Sequence, residues 1–197
     1  MDFDRIRIVL VGPQHPGNIG AVARAMKNMG LGRLVMVAPQ QYPDPQAIWR
    51  AMSARDVLEA ARVVDTLDEA IADCGFVVAA TSRDQRIPWP VLDARRGAAE
   101  VARESGRTEV AILFGREDNG LNTEELMRCN LHLAISTSDA YSSLNLAMAV
   151  QVVSYGLHML AVADELPSEP DAEWDAAPAT QENMERFYVH LEQTLGE

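Results

Sequence analysis

Cysteine is scarce in this 197-residue chain: Cys74 and Cys129 are alone and far apart. Two such residues build neither a disulfide framework nor a zinc site, and a reducing cytosol is the expected setting. The four histidines, His15, His132, His158 and His190, show no ligand spacing, so no metal is expected. No run of 18 apolar residues is free of polar ones. The nearest, 144–163, carries Asn145, Gln151, Ser154 and His158, and reads as a buried or interface helix. The first residues, Met1-Asp-Phe-Asp-Arg5, lack a signal-peptide pattern. A strongly basic domain is missing too. The net charge is −12, but residues 161–197 hold ten acids and one base, Arg186. The remainder is close to neutral and rich in arginine, so a polyanionic partner is not excluded.

What is present is an apolar fraction of 48%, enough for one sizeable core. Strand-like runs (5–11, 33–37, 63–64, 76–80, 110–114, 131–135) alternate with helix-like runs (18–29, 47–60, 67–72, 92–105, 122–128, 143–163). This alternation predicts an α/β domain over 1–163, with a largely parallel sheet flanked by helices. Residues 164–180 mix acids with Pro167, Pro170 and Pro178 and read as a linker. Residues 181–197 form a further helical segment, with Met184, Phe187, Tyr188, Leu191 and Leu195 at helical spacing.

Four loops follow strands, at the edge where open α/β sheets bind ligands. The first, Gly12-Pro-Gln-His-Pro-Gly-Asn-Ile-Gly20, has P-loop-like glycines. Asn18-Ile19 stand where Lys and Ser/Thr would be needed, which excludes P-loop phosphate chemistry. No G-x-G-x-x-G follows any strand, so an ordinary dinucleotide site is unsupported. Asn18 is read at or near a helix N-cap. Arg24 lies about 140° around the helix from Ile19, away from the apolar stripe; a solvated arginine and a simple cap are the plain alternatives. The second loop is Ala80-Thr-Ser-Arg-Asp-Gln-Arg86. The third is Phe114-Gly-Arg-Glu-Asp-Asn-Gly-Leu-Asn122. There Gly115 allows close approach to backbone, Gly120 permits a positive φ, and Asn122 with Glu125 forms a capping box. The fourth runs from Ile135 to Leu146, with Ser142 or Ser143 as helix cap and Asn145 in the first turn. Read singly, each is a polar turn or a cap.

In order, Asn18-x5-Arg24, Phe114-Gly-Arg-Glu-Asp-Asn-Gly-Leu121 and Ser142-Ser-Leu-Asn-Leu-Ala-Met-Ala149 resemble the three motifs of the SpoU (TrmH-like) branch of the SPOUT methyltransferases. Tyr141–Val152 and Glu185–Leu195 resemble the bacterial members that methylate the 2'-OH of cytidine or uridine at position 32 of the tRNA anticodon loop. Such members continue into a larger C-terminal extension, of which 181–197 is read as the start. The resemblance implies a deep trefoil knot near the C-terminal end, a homodimer through that region, tRNA as substrate and S-adenosyl-L-methionine as methyl donor. It implies donor contacts from Ala80, Thr81, Ser82, Gly115, Ile135, Ser142, Ser143 and Leu144. Around the reacting hydroxyl it implies Asn18, Arg24, Glu117, Ser143 and Asn145. For an RNA substrate, Arg24, Arg83, Arg86 and His15 are read as contacts; surface arginines and a loop histidine are the alternatives. Methyl transfer from a sulfonium needs no metal, only an in-line oxygen and a path for its proton. Arg24 is expected in that path, as base or as electrostatic group, since free arginine stays protonated to above about pH 12. Rival readings are methylation of ribosomal RNA or another tRNA position, and a non-catalytic RNA-binding α/β protein.

Overall fold

The computed structural model describes residues 1–81, 91–163 and 181–195. Met1–Asp164 make one compact unit, and the helix Gln181–Leu195 belongs to a second, Glu165–Glu197. Residues 164–180, read as a linker, lie outside the described residues.

Among the described residues seven strands form one sheet: β1 (Ile6–Val11), β2 (Arg33–Val37), β3 (Arg62–Val64), β4 (Phe76–Thr81), β5 (Val91–Asp93), β6 (Val110–Phe114) and β7 (Leu131–Ala134). Their order is β3-β2-β1-β6-β4-β7-β5, and every described pairing is parallel. All carboxyl ends therefore open on one edge, where β1, β6, β4 and β7 stand side by side. The described residues do not by themselves trace a trefoil knot; the parallel α/β sheet is the fold they display.

The sheet is covered on both faces, which explains why β1 is buried at all six positions. Ile6, Ile8 and Leu10 point into one core with α1 (Pro16–Asn28), α5 (Ala94–Ser105) and α7 (Leu146–Ala161). Val9 and Val11 point into the other, with α4 (Leu67–Ile71) and α6 (Thr123–Met127). At the amino edge of that second face, Arg7 is buried. It donates to both carboxylate oxygens of Asp73 at 2.6 Å and to Glu109 at 2.7 Å. The guanidinium holds the Asp73 carboxyl at about 2.

Four local expectations change. The 47–60 helix divides into α2 (Pro45–Ala51), a 3-10 turn and α3 (Arg55–Glu59), broken where Met52 takes φ 53°. Val91–Asp93 is a strand because β7 supplies it a parallel neighbour. Pro16 at the first helical position starts α1 earlier, so Asn18 lies inside the first turn and His15 is the N-cap. α7 is capped by Asn145, whose side chain accepts from the Ala147 N–H at 2.9 Å, and not by Ser142 or Ser143. α8 (Gln181–Leu195) is helical as expected, and Phe187, Val189, Leu191 and Leu195 are exposed on it.

Candidate active site

The loop after β6 is held by two devices. A tight turn pairs Arg116 with Gly120 through reciprocal backbone hydrogen bonds of 3.2 and 3.0 Å, with Gly120 at φ 69°. Arg116 then grips Glu125 bidentately at 3.0 and 2.9 Å. Glu125 is also the third residue of the Asn122 capping box, so one carboxylate ties the turn to α6. Gly115 has a more specific reason than ligand approach: a Cβ there would lie 2.1 Å from the Gly120 carbonyl carbon and 2.3 Å from the Leu121 nitrogen. The turn closes only over glycine.

Between this turn and the 135–146 loop lies a cleft of about 350 Å³. Its walls include Ala80 and Thr81 from β4, Gly115 and Glu117 after β6, and Ile135 after β7. Ser142, Ser143 and Leu144, before α7, complete it. Thus seven of the eight residues expected around the donor share one cleft. The eighth, Ser82, and both Arg83 and Arg86 lie outside the described residues.

Glu117 points from the cleft wall toward α1. Its Oε2 accepts from the Gln14 N–H at 2.9 Å, and its Oε1 from the His15 N–H at 3.2 Å and Asn18 Nδ2 at 2.9 Å. Burial pushes the carboxyl up, but the donors from Asn18, Gln14 and His15 together outweigh it and lower it below the ordinary glutamate value. Glu117 is therefore an ionised acceptor at the amino end of a helix, favoured there by the helix dipole. Asn18 passes the connection on: its Oδ1 accepts from Asn145 Nδ2 at 3.0 Å. Three residues separated by about a hundred positions or more in two of the three pairings form one line, Glu117–Asn18–Asn145.

Beyond that line is a second groove, lined by His15, Gly17, Asn18, Gln46, Arg50 and Asn145 among others. Arg24 is exposed, seven residues from Gly17 and so on nearly the same face of α1. It has no hydrogen-bond or ionic partner among the described residues. Ser143 is exposed in the loop, on the cleft side of Asn145. Gln46 and Arg50 lie outside the sequence motifs and reach the groove because α2 crosses α1. Gln14 and Arg116 lie inside the quoted loops, but the sequence assigned them no role.

The remaining nucleophile candidates are weak. Burial pushes the Cys129 thiol up to about 12 and raises that of Cys74, so neither is poised as a thiolate. Among the described residues no group of three or more His, Cys, Asp and Glu side chains stands ready for a metal ion. The arrangement offers instead a ligand-sized cleft and an ordered polar line, with exposed Arg24 farther along α1 and without a partner among the described residues.

The sequence profile of the SpoU rRNA Methylase family matches residues 5–155. Over 98% of its length the chain is 49% identical to the tRNA (cytidine/uridine-2'-O-)-methyltransferase TrmJ of Klebsiella pneumoniae, covering 80% of that protein. It is 46% identical to the tRNA (cytidine/uridine/adenosine-2'-O-)-methyltransferase TrmJ of Pseudomonas aeruginosa, covering 78% of it. Among solved structures, a probable methylase family protein of Haemophilus influenzae superposes with a TM-score of 0.79 at 38% identity, over 99% of this chain and 82% of that one. TrmJ of Z. mobilis gives 0.74 at 37% identity, over 96% and 79%. With the family profile matching most of its length and relatives nearly half identical over almost all of it, the chain belongs to the SpoU family of methyltransferases.

Proposed function

We propose that this protein is an S-adenosyl-L-methionine-dependent tRNA 2'-O-methyltransferase, acting on cytidine or uridine at position 32 of the anticodon loop. The observation that carries the reading is the line Glu117–Asn18–Asn145, which joins the cleft to the groove at the amino end of α1, the helix that carries Arg24. The names of relatives nearly half identical over almost the whole chain support tRNA ribose as the substrate. The resemblance of Tyr141–Val152 and Glu185–Leu195 supports position 32.

The cleft suits the donor: its size falls within the range of small-molecule pockets, and it pairs hydroxyls with apolar Ile135, Leu144 and Leu146. When bound, S-adenosylmethionine supplies an electrophilic methyl group on a sulfonium. Ala80, Thr81, Gly115, Ile135, Ser142, Ser143 and Leu144 would hold it, with Glu117 placing negative charge on one wall. Asn18 and Asn145, fixed by Glu117, orient the ribose. Arg24 stabilises negative charge developing on the ribose oxygen and positions the neighbouring phosphate.

The exposed stripe Met148, Val152 and Tyr155 on α7 is the face through which a homodimer would form. No described helix is long and apolar enough to cross a membrane. The cytoplasm, where tRNA is found, is the proposed location.

The test is transfer of labelled methyl groups from S-adenosylmethionine to total tRNA, with the modified nucleotide mapped. A 2'-O-methyl mark at position 32, lost when that nucleotide is 2'-deoxy, is expected. Donor binding without transfer, or transfer to the deoxy substrate, overturns the reading.

A further inference from the structure

α2 carries side chains that the family motifs do not account for. It crosses α1 at Gly20, where an added Cβ would lie 2.1 Å from the Ala47 carbonyl oxygen and 2.8 Å from Arg50 Cβ. One turn earlier, a Cβ on Gly17 would meet Gln46 Cδ at 3.5 Å and Arg50 Cγ at 3.8 Å. The stems of Gln46 and Arg50 therefore run across the bare first turns of α1, toward its amino end. Both reach the groove of about 510 Å³ that His15, Asn18 and Asn145 also line.

Arg50 is exposed there with no ionic or hydrogen-bond partner among the described residues. Lys27 on α1 and Arg55 on α3 are, by contrast, engaged with Asp56 and Glu59. The acid nearest on α2, Asp44, is the N-cap and accepts from the Gln46 N–H at 2.7 Å. Beside Arg50, Trp49 is 71% exposed and Met52 66% exposed, with Met52 in the strained positive-φ region. A bare cation next to an open indole, at the rim of a groove holding Asn18 and Asn145, matches a nucleotide. Guanidinium suits phosphate, and an indole face suits any base.

We infer that α2 holds the nucleotide flanking the target ribose, Arg50 taking its phosphate and Trp49 stacking on its base. The inference rests on RNA being the substrate. Adjacent helix positions diverge by about 100°, so the two side chains grip different parts of one nucleotide.

The test measures binding of a synthetic anticodon stem-loop RNA to the full chain, as a function of salt. Arg50→Ala weakens binding about tenfold and lowers the salt slope by about one. Trp49→Ala weakens it about tenfold with the slope unchanged, and Trp49→Phe keeps most of the affinity. Donor binding, thermal stability and kcat at saturating RNA stay as in the wild type. Wild-type affinity in either alanine variant, or a fall in kcat at unchanged affinity, overturns the assignment of that residue. If the wild type methylates tRNA and both variants bind normally, this inference alone fails. If the wild type binds RNA with these dependences but transfers no methyl group, the catalytic reading fails and this one stands.

Discussion

Replacing Glu117 by Gln tests whether the carboxylate is a fastener and not a base. The substitution keeps shape and removes charge. Glutamine's oxygen can still accept from Asn18 and His15, but its amide nitrogen then faces the Gln14 N–H, 2.9 Å from where Oε2 was. One charge-assisted hydrogen bond is lost, about 1.5–3 kcal/mol when buried. The favourable charge at the amino end of α1 goes too, about 0.3–1 kcal/mol. Partial exposure trims the sum to about 2 kcal/mol, which in a domain of this size lowers Tm by about 4–8 °C. Because the folded-state carboxyl lies below its unfolded value, its contribution is present above about pH 4.3 and fades as pH falls through the lower folded value. Thermal unfolding of both proteins from neutral pH into acid should therefore show a Tm gap that closes in acid. Methyl transfer should fall further than donor binding, since Asn18 and Asn145 lose their anchor. Equal Tm values at neutral pH, or a gap that widens in acid, would refute the reasoning.

Other expectations follow from the same geometry. Arg24→Ala abolishes methyl transfer while calorimetry still detects donor binding; wild-type turnover would remove Arg24 from the chemistry. Gly115→Ala forces the Gly120–Leu121 backbone away, so Tm falls and donor affinity drops at least tenfold, readable by the same titration. Asp73→Asn leaves buried Arg7 with Glu109 as its one remaining carboxylate partner among the described residues, costing about 1–2 kcal/mol after solvent screening. The Asp73 carboxyl is depressed, so that difference exists above about pH 3.9 and disappears as pH falls through about 2, as acid denaturation would show.

Most strands were legible because a fully buried β6 is an unbroken apolar run and β1 is one but for Arg7, and the Asn122–Glu125 box because its partners are three residues apart. β5 was not, since Val91–Asp93 owes its extension to a neighbour some forty residues on. The break at Met52 carries no glycine or proline signal. The site was legible as a set of motifs in order, and seven expected donor contacts fall in one cleft. How the set connects was not. Nothing local in Glu117 announces that it reaches back to Asn18, or in Arg50 that two glycines on another helix make room for its stem. Such partners are chosen by the strand order, which sequence periodicity does not encode.

That strand order also has a consequence for synthesis. β1 lies between β2 and β6, so its first neighbour is complete at Val37 while its second is not made until Phe114. At about 5–20 residues per second a ribosome needs several seconds to cover that interval. Throughout it, one edge of this fully buried strand has no native neighbour, and the α1 member of the Glu117–Asn18–Asn145 line has nothing to fasten to. A nascent chain of this fold therefore leaves that edge open early, and gains its site only once the β6 turn and the 135–146 loop have emerged.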